Sequence, residues 1–195
     1  MRSVARFTRA ELEGFRGAQV PDLVGPGLVL LFVGINPGLW TAATQTHFAY
    51  PGNRFYPALQ RAGIIERRID PSAGMTDADR AHVLERGIGI SNLVRRATAR
   101  ADELTRAELE AGGAALVETI HRHRPRVVAV AGITAYRQSF GRPRAVLGRQ
   151  PEDLAGAQLW VVPNPSGLNA HATVDTLAQA YAAPARAAGL LPETP

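Results

Sequence analysis

Two apolar segments that pass directly into Asn-Pro loops constrain how this chain folds. Residues 28–33 and 159–162 have the composition of buried strands, and Asn-Pro and Gly follow each of them. The two loops are Gly34-Ile35-Asn36-Pro37-Gly38 and Asn164-Pro165-Ser166-Gly167-Leu168-Asn169. Loops at the carboxyl ends of neighbouring strands in an open parallel sheet meet over one crevice, where ligands bind. The sequence therefore predicts one site that is assembled from both ends of the chain.

Strands alternate with helices along the rest of the chain. Predicted strands cover 28–33, 88–94, 126–131 and 158–162, and predicted helices cover 55–65, 77–86, 103–124, 134–140 and 173–188. Capping boxes are predicted at Thr8 with Glu11 and at Thr105 with Glu108. Pro184 is expected to bend or shorten the last helix, and residues 39–56 are predicted to form a polar loop. This alternation predicts an α/β fold with a mainly parallel sheet covered on both faces.

Length and composition predict one globular domain. A chain of 195 residues with 46% hydrophobic residues can bury a sizeable core. We expect an N-terminal extension at residues 1–20, a single main domain at 21–190 and a disordered tail at 191–195. Neither a membrane span nor an apolar signal-peptide core is evident, so a cytoplasmic protein is expected. A net charge of +5 permits a polyanionic partner but is equally typical of an ordinary basic protein.

Two missing residue types exclude several chemistries. The chain has no cysteine, which excludes disulfides, thiolate zinc sites, iron–sulfur clusters and cysteine nucleophiles. All 22 basic side chains are arginine, so no lysine can form a Schiff base or grip a phosphate in a P-loop. The five histidines lack metal-ligand spacing, and neither a dinucleotide-binding glycine motif nor a nucleophile elbow is present. We predict no metal and no cofactor.

The two loops and two further segments together resemble one known family. The segments are Gly34-Ile35-Asn36-Pro37-Gly38-Leu39, His47-Phe48-Ala49-Tyr50-Pro51-Gly52-Asn53-Arg54-Phe55, Gly89-Ile90-Ser91-Asn92-Leu93-Val94 and Asn164-Pro165-Ser166-Gly167-Leu168. In order and spacing they resemble the mismatch-specific uracil-DNA glycosylase and thymine-DNA glycosylase family, over about residues 21–188. The resemblance implies a three-layer α/β/α sandwich around a short, mainly parallel sheet.

The implied activity is that of a monofunctional DNA glycosylase. Such an enzyme flips uracil, and also thymine or other modified pyrimidines, out of G·U and G·T mispairs in double-stranded DNA. It then hydrolyses the N-glycosidic bond and leaves an abasic site for base-excision repair. Since no lysine is available, lyase activity is not expected. The resemblance further implies a monomer that acts on DNA in the cytoplasm, at the nucleoid.

The resemblance assigns roles to individual residues. Asn36 corresponds to the residue that holds the attacking water. The base pocket is expected to consist of Ile35 (through its backbone), Gly38, Thr41, Phe48 and Asn92. Glycine at position 38 replaces the tyrosine by which strict uracil enzymes exclude a 5-methyl group, so a broad substrate range is expected. The supporting loop residues are Pro37, Asn164, Pro165 and Ser166.

The second loop is expected to contact the DNA stack. Leu168 corresponds to the wedge that fills the gap left by the flipped base, and Gly167 and Asn169 are expected to meet the widowed guanine. Some relatives next have arginine, where this chain has Ala170 and His171. The contact with the opposite DNA strand is therefore expected to be weaker or to be made by other residues.

Other interpretations remain open from the sequence alone. Leu168 also fits a core leucine, Phe48 a loop anchor, Asn92 the cap of a strand end and Asn36 a turn residue before proline. A non-catalytic mismatch or lesion binder on the same fold is the main alternative function. A small-molecule nucleoside hydrolase is a second alternative, although a wedge would have no purpose there.

Overall fold

A five-stranded sheet forms the centre of the protein. The computed structural model describes residues 7–167 and 172–193. The strands are β1 (Leu30–Gly34), β2 (Ile88–Asn92), β3 (Val127–Ala131), β4 (Gly148–Arg149) and β5 (Gln158–Val162). They lie in the order β2-β1-β3-β5-β4, in which the first four strands are parallel and β4 is antiparallel to β5. The predicted mainly parallel sheet is confirmed.

Helices cover both faces of this sheet. They are α1 (Arg9–Glu13), α2 (Leu39–Thr44), α3 (Phe55–Arg61), α4 (Asp77–Glu85), a 3-10 turn (Ala101–Glu103), α5 (Arg106–His123), α6 (Ile133–Ser139) and α7 (Val174–Ala187). The predicted capping boxes are present at α1 and α5, where Thr8 and Thr105 accept from the third backbone N–H of their helices. A further capping box starts α4 at Thr76.

The core divides into two clusters, one on each face of the sheet. In β1, Leu30 and Phe32 pack in a cluster with side chains of α3 and α7, whereas Leu31 and Val33 pack in a second cluster with side chains of α5 and α6. Successive strand residues point to opposite faces, which explains this division. Complete burial of each such side chain contributes about 1.5–3 kcal/mol. The continuous apolar strands thus produce the predicted three-layer α/β/α architecture.

The prediction of a polar loop at residues 39–56 is wrong, and local patterns missed two further details of the fold. The predicted polar loop after the first strand contains α2, whose six residues are too few to show helical periodicity. The segment before β5 contains the two-residue edge strand β4. Pro184 does not shorten α7, which continues to Ala187. The ring of Pro184 is buried, and the Ala188 N–H donates to the Pro184 carbonyl at 2.9 Å, so helical bonding resumes directly after the proline.

No helix within residues 7–167 and 172–193 has both the length and the apolar character needed to cross a membrane.

Candidate active site

A cleft of about 1220 Å³ lies over the carboxyl ends of the parallel strands. It is lined by most of the site residues that the sequence predicts: Ile35, Asn36, Pro37, Gly38, Thr41, Phe48, Asn92, Asn164, Ser166 and Gly167. Pro165 lies beside this set, and its carbonyl accepts a hydrogen bond of 3.0 Å from the Arg54 N–H. The structure therefore brings the two Asn-Pro loops to one cleft.

The strands that carry the two loops are not neighbours, contrary to the sequence-based expectation. β3 lies between β1 and β5, so the two loops meet across the end of β3 at Gly132. Gly132 has φ +124°, and a Cβ atom there would lie 3.3 Å from Ile35 Cδ1 and 3.9 Å from Asn164 Nδ2. A glycine at the end of β3 thus allows both loops to close over it.

The side-chain amide of Asn36 is held in one orientation. Its Nδ2 donates to the carbonyl oxygens of Arg96 at 3.0 Å and Pro37 at 3.2 Å, and to Thr98 Oγ1 at 2.7 Å. Because carbonyl oxygens can only accept, they select the NH₂ group for this side. Within the described part of the chain, Asn36 Oδ1 accepts no hydrogen bond. Asn36 therefore presents an acceptor oxygen that can bind and orient a water molecule.

Thr98 is a site residue that the sequence analysis missed. Its hydroxyl donates to the Arg100 carbonyl at 2.7 Å, which leaves a lone pair for the Asn36 amide. Thr98 is 1% exposed and lines the same cleft. A threonine 62 positions after Asn36 gives no local signal. Only the backbone pairing of the two segments, where the Thr98 N–H donates to the Pro37 carbonyl at 3.1 Å, brings it there.

Phe48 forms an aromatic wall of the cleft. Its ring stacks on Phe55 with centroids 4.1 Å apart and an interplanar angle of 24°. Its backbone has φ +55°, which is costly for an aromatic residue, and such strain clusters at functional sites. Gly34 permits this approach, because a Cβ there would lie 3.2 Å from Phe48 Cζ. A flat ring in the cleft can therefore stack beside Phe48.

Asn92, at the end of β2, is oriented by a buried histidine. Asn92 Nδ2 lies 3.1 Å from His47 Nδ1, and His47 Nε2 lies 2.9 Å from the Pro21 carbonyl oxygen. The carbonyl requires the proton on Nε2, so Nδ1 accepts from the Asn92 amide. Burial lowers the pKa of His47, which keeps the ring neutral in this role. The sequence analysis gave His47 no such role.

Gly38 and Thr41 lie at the start of α2. Gly38 is the N-cap of this helix, and within residues 7–167 and 172–193 a Cβ atom there would meet no atom closer than 4 Å apart from its chain neighbours. Thr41 is 6% exposed and also lines the cleft. The space beside Gly38 is therefore open to a substituent on a bound ring.

The second Asn-Pro loop packs on residues 52–54. Asn164 Oδ1 accepts from the Ser166 N–H at 3.0 Å, and a Cβ at Gly167 would lie 2.9 Å from the Gly52 carbonyl oxygen. Arg54 Nη1 donates to the Ala172 carbonyl at 2.7 Å. The expected wedge Leu168 and its neighbours Asn169, Ala170 and His171 lie outside the described residues, so their predicted contacts with DNA stay predictions.

The acidic residues of the cleft are in ion pairs. Among the described residues that line it, Glu13 pairs with Arg16 at 2.9 Å and Asp102 pairs with Arg100. Within residues 7–167 and 172–193, no group of three or more histidine, cysteine, aspartate or glutamate side chains could hold a metal ion. The acceptors that hold the Asn36 amide are the Thr98 hydroxyl and the backbone carbonyls of Pro37 and Arg96.

The fold and the cleft define the class of protein. An α/β/α domain with an oriented amide and an aromatic wall at the carboxyl edge of its sheet can hold a flat polar ring beside a bound water. Residues 21–184 match the model of the uracil DNA glycosylase superfamily, and the chain belongs to that family. It is therefore a DNA glycosylase in the general sense, with DNA as its partner.

A solved structure shows the same fold. The solution NMR structure of a protein from Methanosarcina acetivorans, provisionally assigned as a uracil DNA glycosylase, superposes with a TM-score of 0.59 at 16% sequence identity. The match covers 90% of this chain and 98% of that protein. It confirms the predicted fold.

Proposed function

We propose that this protein is a monofunctional DNA glycosylase that removes uracil, and also thymine or other modified pyrimidines, from G·U and G·T mispairs. The observation that carries this proposal is the orientation of Asn36. Its amide nitrogen is engaged by Pro37, Arg96 and Thr98, so its oxygen faces a potential water molecule beside the base pocket. The product would be an abasic site.

An amide at this position determines the kind of catalysis. Asn36 can orient water but cannot take its proton as a carboxylate would. The N-glycosidic bond must therefore break largely before water attacks, through an oxocarbenium-like state that the site stabilises electrostatically. General-base assistance is worth about 10²–10⁴-fold, so we expect slow turnover.

The base pocket supports a flipped pyrimidine as the substrate. Phe48 would stack on the base, a contact worth about 1–3 kcal/mol. The contact with His47 uses one amide hydrogen of Asn92, and the other amide hydrogen and the side-chain oxygen can pair with the imide edge of uracil or thymine. The open space beside Gly38 would admit a 5-methyl group. Discrimination would then depend in part on how easily a mispaired base leaves the stack.

The absence of lysine supports hydrolysis without strand cleavage. A glycosylase that also cuts the backbone needs an enzyme amine to form a Schiff base, and no side chain here supplies one. The expected product therefore keeps an intact backbone until alkali is added. Trapping of a covalent protein–DNA adduct with borohydride would contradict this part of the proposal.

The decisive experiment is an excision assay on end-labelled duplexes that contain G·U, G·T and A·U pairs. Abasic sites are revealed by alkali. The wild-type protein should cleave the G·U duplex, and the Asn36→Ala variant should lose excision while still binding the duplex.

Gln150→Ala is the matched control for this variant. Gln150 is also a buried amide, and its Nε2 donates to two backbone carbonyls at 2.8 and 3.0 Å, but it lies at the β4 edge of the sheet. It should retain wild-type excision. Binding to mispaired duplex without excision would favour the mismatch-binding alternative, and cleavage of free deoxyuridine alone would favour a nucleoside hydrolase.

A further inference from the structure

Residues 17–19 form a short antiparallel pairing with Arg96 and Ala97. The Gly17 N–H donates to the Ala97 carbonyl at 2.9 Å, and the Ala97 N–H donates to the Ala18 carbonyl at 2.9 Å. Gln19 and Arg96 continue this pairing as an antiparallel bridge. These N-terminal residues precede the part of the chain that matches the family, which begins at residue 21.

The other side of the same segment holds Asn36. Thr98 pairs with Gly38 in a parallel bridge, and the Arg96 carbonyl and the Thr98 hydroxyl accept from the Asn36 amide. Residues 96–98 are therefore clamped between the N-terminal segment on one side and the Asn36 loop on the other. A shift of this segment would move two of the three acceptors that orient Asn36.

A small apolar cluster anchors the N-terminal segment. Leu12, Phe15 and Ala18 pack against the buried side chains of Val20, Leu39, Ala42 and Ala97. This cluster is separate from the two clusters that cover the faces of the sheet. In addition, the ring of Phe7 lies edge-on to Trp40 at 5.0 Å. Opening the cluster should therefore release the N-terminal segment while the main core stays folded.

From these contacts we infer that residues 7–20 are a positioning element of the catalytic site, which holds residues 96–98 so that Asn36 keeps its orientation. The inference rests on the proposed function of Asn36. It assigns a positioning role to a segment that supplies none of the three acceptors of the Asn36 amide. The same segment also borders the cleft, through Arg9, Leu12 and Glu13.

The test is the Leu12→Asp variant of the full-length protein. A carboxylate in this apolar cluster should release α1, and a change in the fluorescence of Trp40 would report the release. The matched control is Leu154→Asp, because Leu154 is also a half-buried leucine but packs at the β4–β5 side of the second core cluster.

Two measurements decide the outcome. The single-turnover excision rate of Leu12→Asp on the G·U duplex should fall at least about 10-fold, while the affinity for that duplex stays within about 2-fold, because the loss of a transition-state interaction lowers the rate and not the binding. In ¹⁵N-edited NMR spectra, the side-chain NH₂ resonances of Asn36 should shift or broaden. The Leu154→Asp variant should show neither change.

Several results would overturn the inference. If α1 is released but the excision rate and the Asn36 resonances stay unchanged, the inference is wrong. It is also wrong if Leu12→Asp and Leu154→Asp lose the same amount of excision activity. If Leu12→Asp does not fold, Phe15→Ala provides the milder truncation of the same cluster. If the wild-type protein excises no base, the proposed function fails, but the Asn36 resonances still decide whether the N-terminal segment orients this side chain.

Discussion

The Asn36 amide donates a hydrogen bond of 2.7 Å to the Thr98 hydroxyl, whose own proton is donated to the Arg100 carbonyl. This relay, together with the carbonyls of Arg96 and Pro37, turns the Asn36 oxygen away from the protein acceptors. A carboxylate at position 36 would place an oxygen against two carbonyl oxygens. The surroundings of Asn36 therefore favour an amide over a carboxylate.

Substitution of Thr98 should slow excision without weakening DNA binding. A net hydrogen bond is worth about 0.5–1.5 kcal/mol, so Thr98→Val should lower the single-turnover rate by up to about 10-fold. Thr98→Ser keeps the hydroxyl and should restore most of the rate. Rapid-quench excision assays on the G·U duplex would measure both variants. Equal rates for valine and serine would contradict the relay.

A methyl group at Gly34 should disrupt the base pocket. Its Cβ would lie 2.5 Å from Asn92 Oδ1 and 3.2 Å from Phe48 Cζ, so both side chains must move. Such overpacking costs about 1–3 kcal/mol, and urea unfolding of Gly34→Ala should show this loss. The excision rate of Gly34→Ala should also fall, because the base pocket is distorted. Gly38→Ala is the control for stability, since apart from its chain neighbours no atom of the described residues lies within 4 Å of its Cβ, and it should keep the wild-type free energy of unfolding.

Tyrosine at position 38 should narrow the substrate range. Gly38 has φ −73° and ψ 164°, which any residue adopts, and among the described residues only its chain neighbours lie within 4 Å of its Cβ position. The Tyr ring of Gly38→Tyr would occupy the space that a 5-methyl group needs. The ratio of G·U to G·T excision rates should therefore rise at least about 10-fold, since clashes of this size cost about 1–3 kcal/mol. An unchanged ratio would show that the 5-position of the base lies elsewhere.

Acid should destabilise the protein through His47. Burial lowers the pKa of His47 below its usual value of 6.5. Just below pH 6.5, the unfolded chain therefore binds a proton at this histidine that the folded protein does not bind. The free energy of unfolding should then decrease as the pH falls below about 6.5. Urea unfolding at pH values of about 7.5 and about 5.5 would measure this decrease.

The matched variant for this effect is His47→Gln. Urea unfolding at both pH values should show a smaller pH-dependent loss of stability in the variant than in the wild type, because the other titrating groups are shared. The hydrogen bond to Asn92 requires an unprotonated Nδ1. Excision by the wild type should therefore decline only at a lower pH, where His47 takes up a proton in the folded protein. Identical pH profiles for the two proteins would exclude His47 as the titrating group.

Local patterns predicted much of the fold. The apolar strands, the helices with their Thr caps and the two-sided covering of the sheet all follow from residues that are close in sequence, because periodicity and capping are local effects. β5 begins and ends as predicted, at Gln158 and Val162. Short elements such as α2 escaped prediction, since six residues give too little periodicity, and the burial of Pro184 outweighed its local tendency to end α7.

By itself, the sequence determined that the two Asn-Pro loops share one cleft, because each loop follows a strand whose carboxyl end lies at that cleft. Only the tertiary structure decided how these residues act. Asn36 is oriented by Thr98, and Asn92 by His47, across sequence separations of 62 and 45 residues. These contacts depend on strand order and on the direction in which carbonyls and ring nitrogens point. No local pattern encodes either of them.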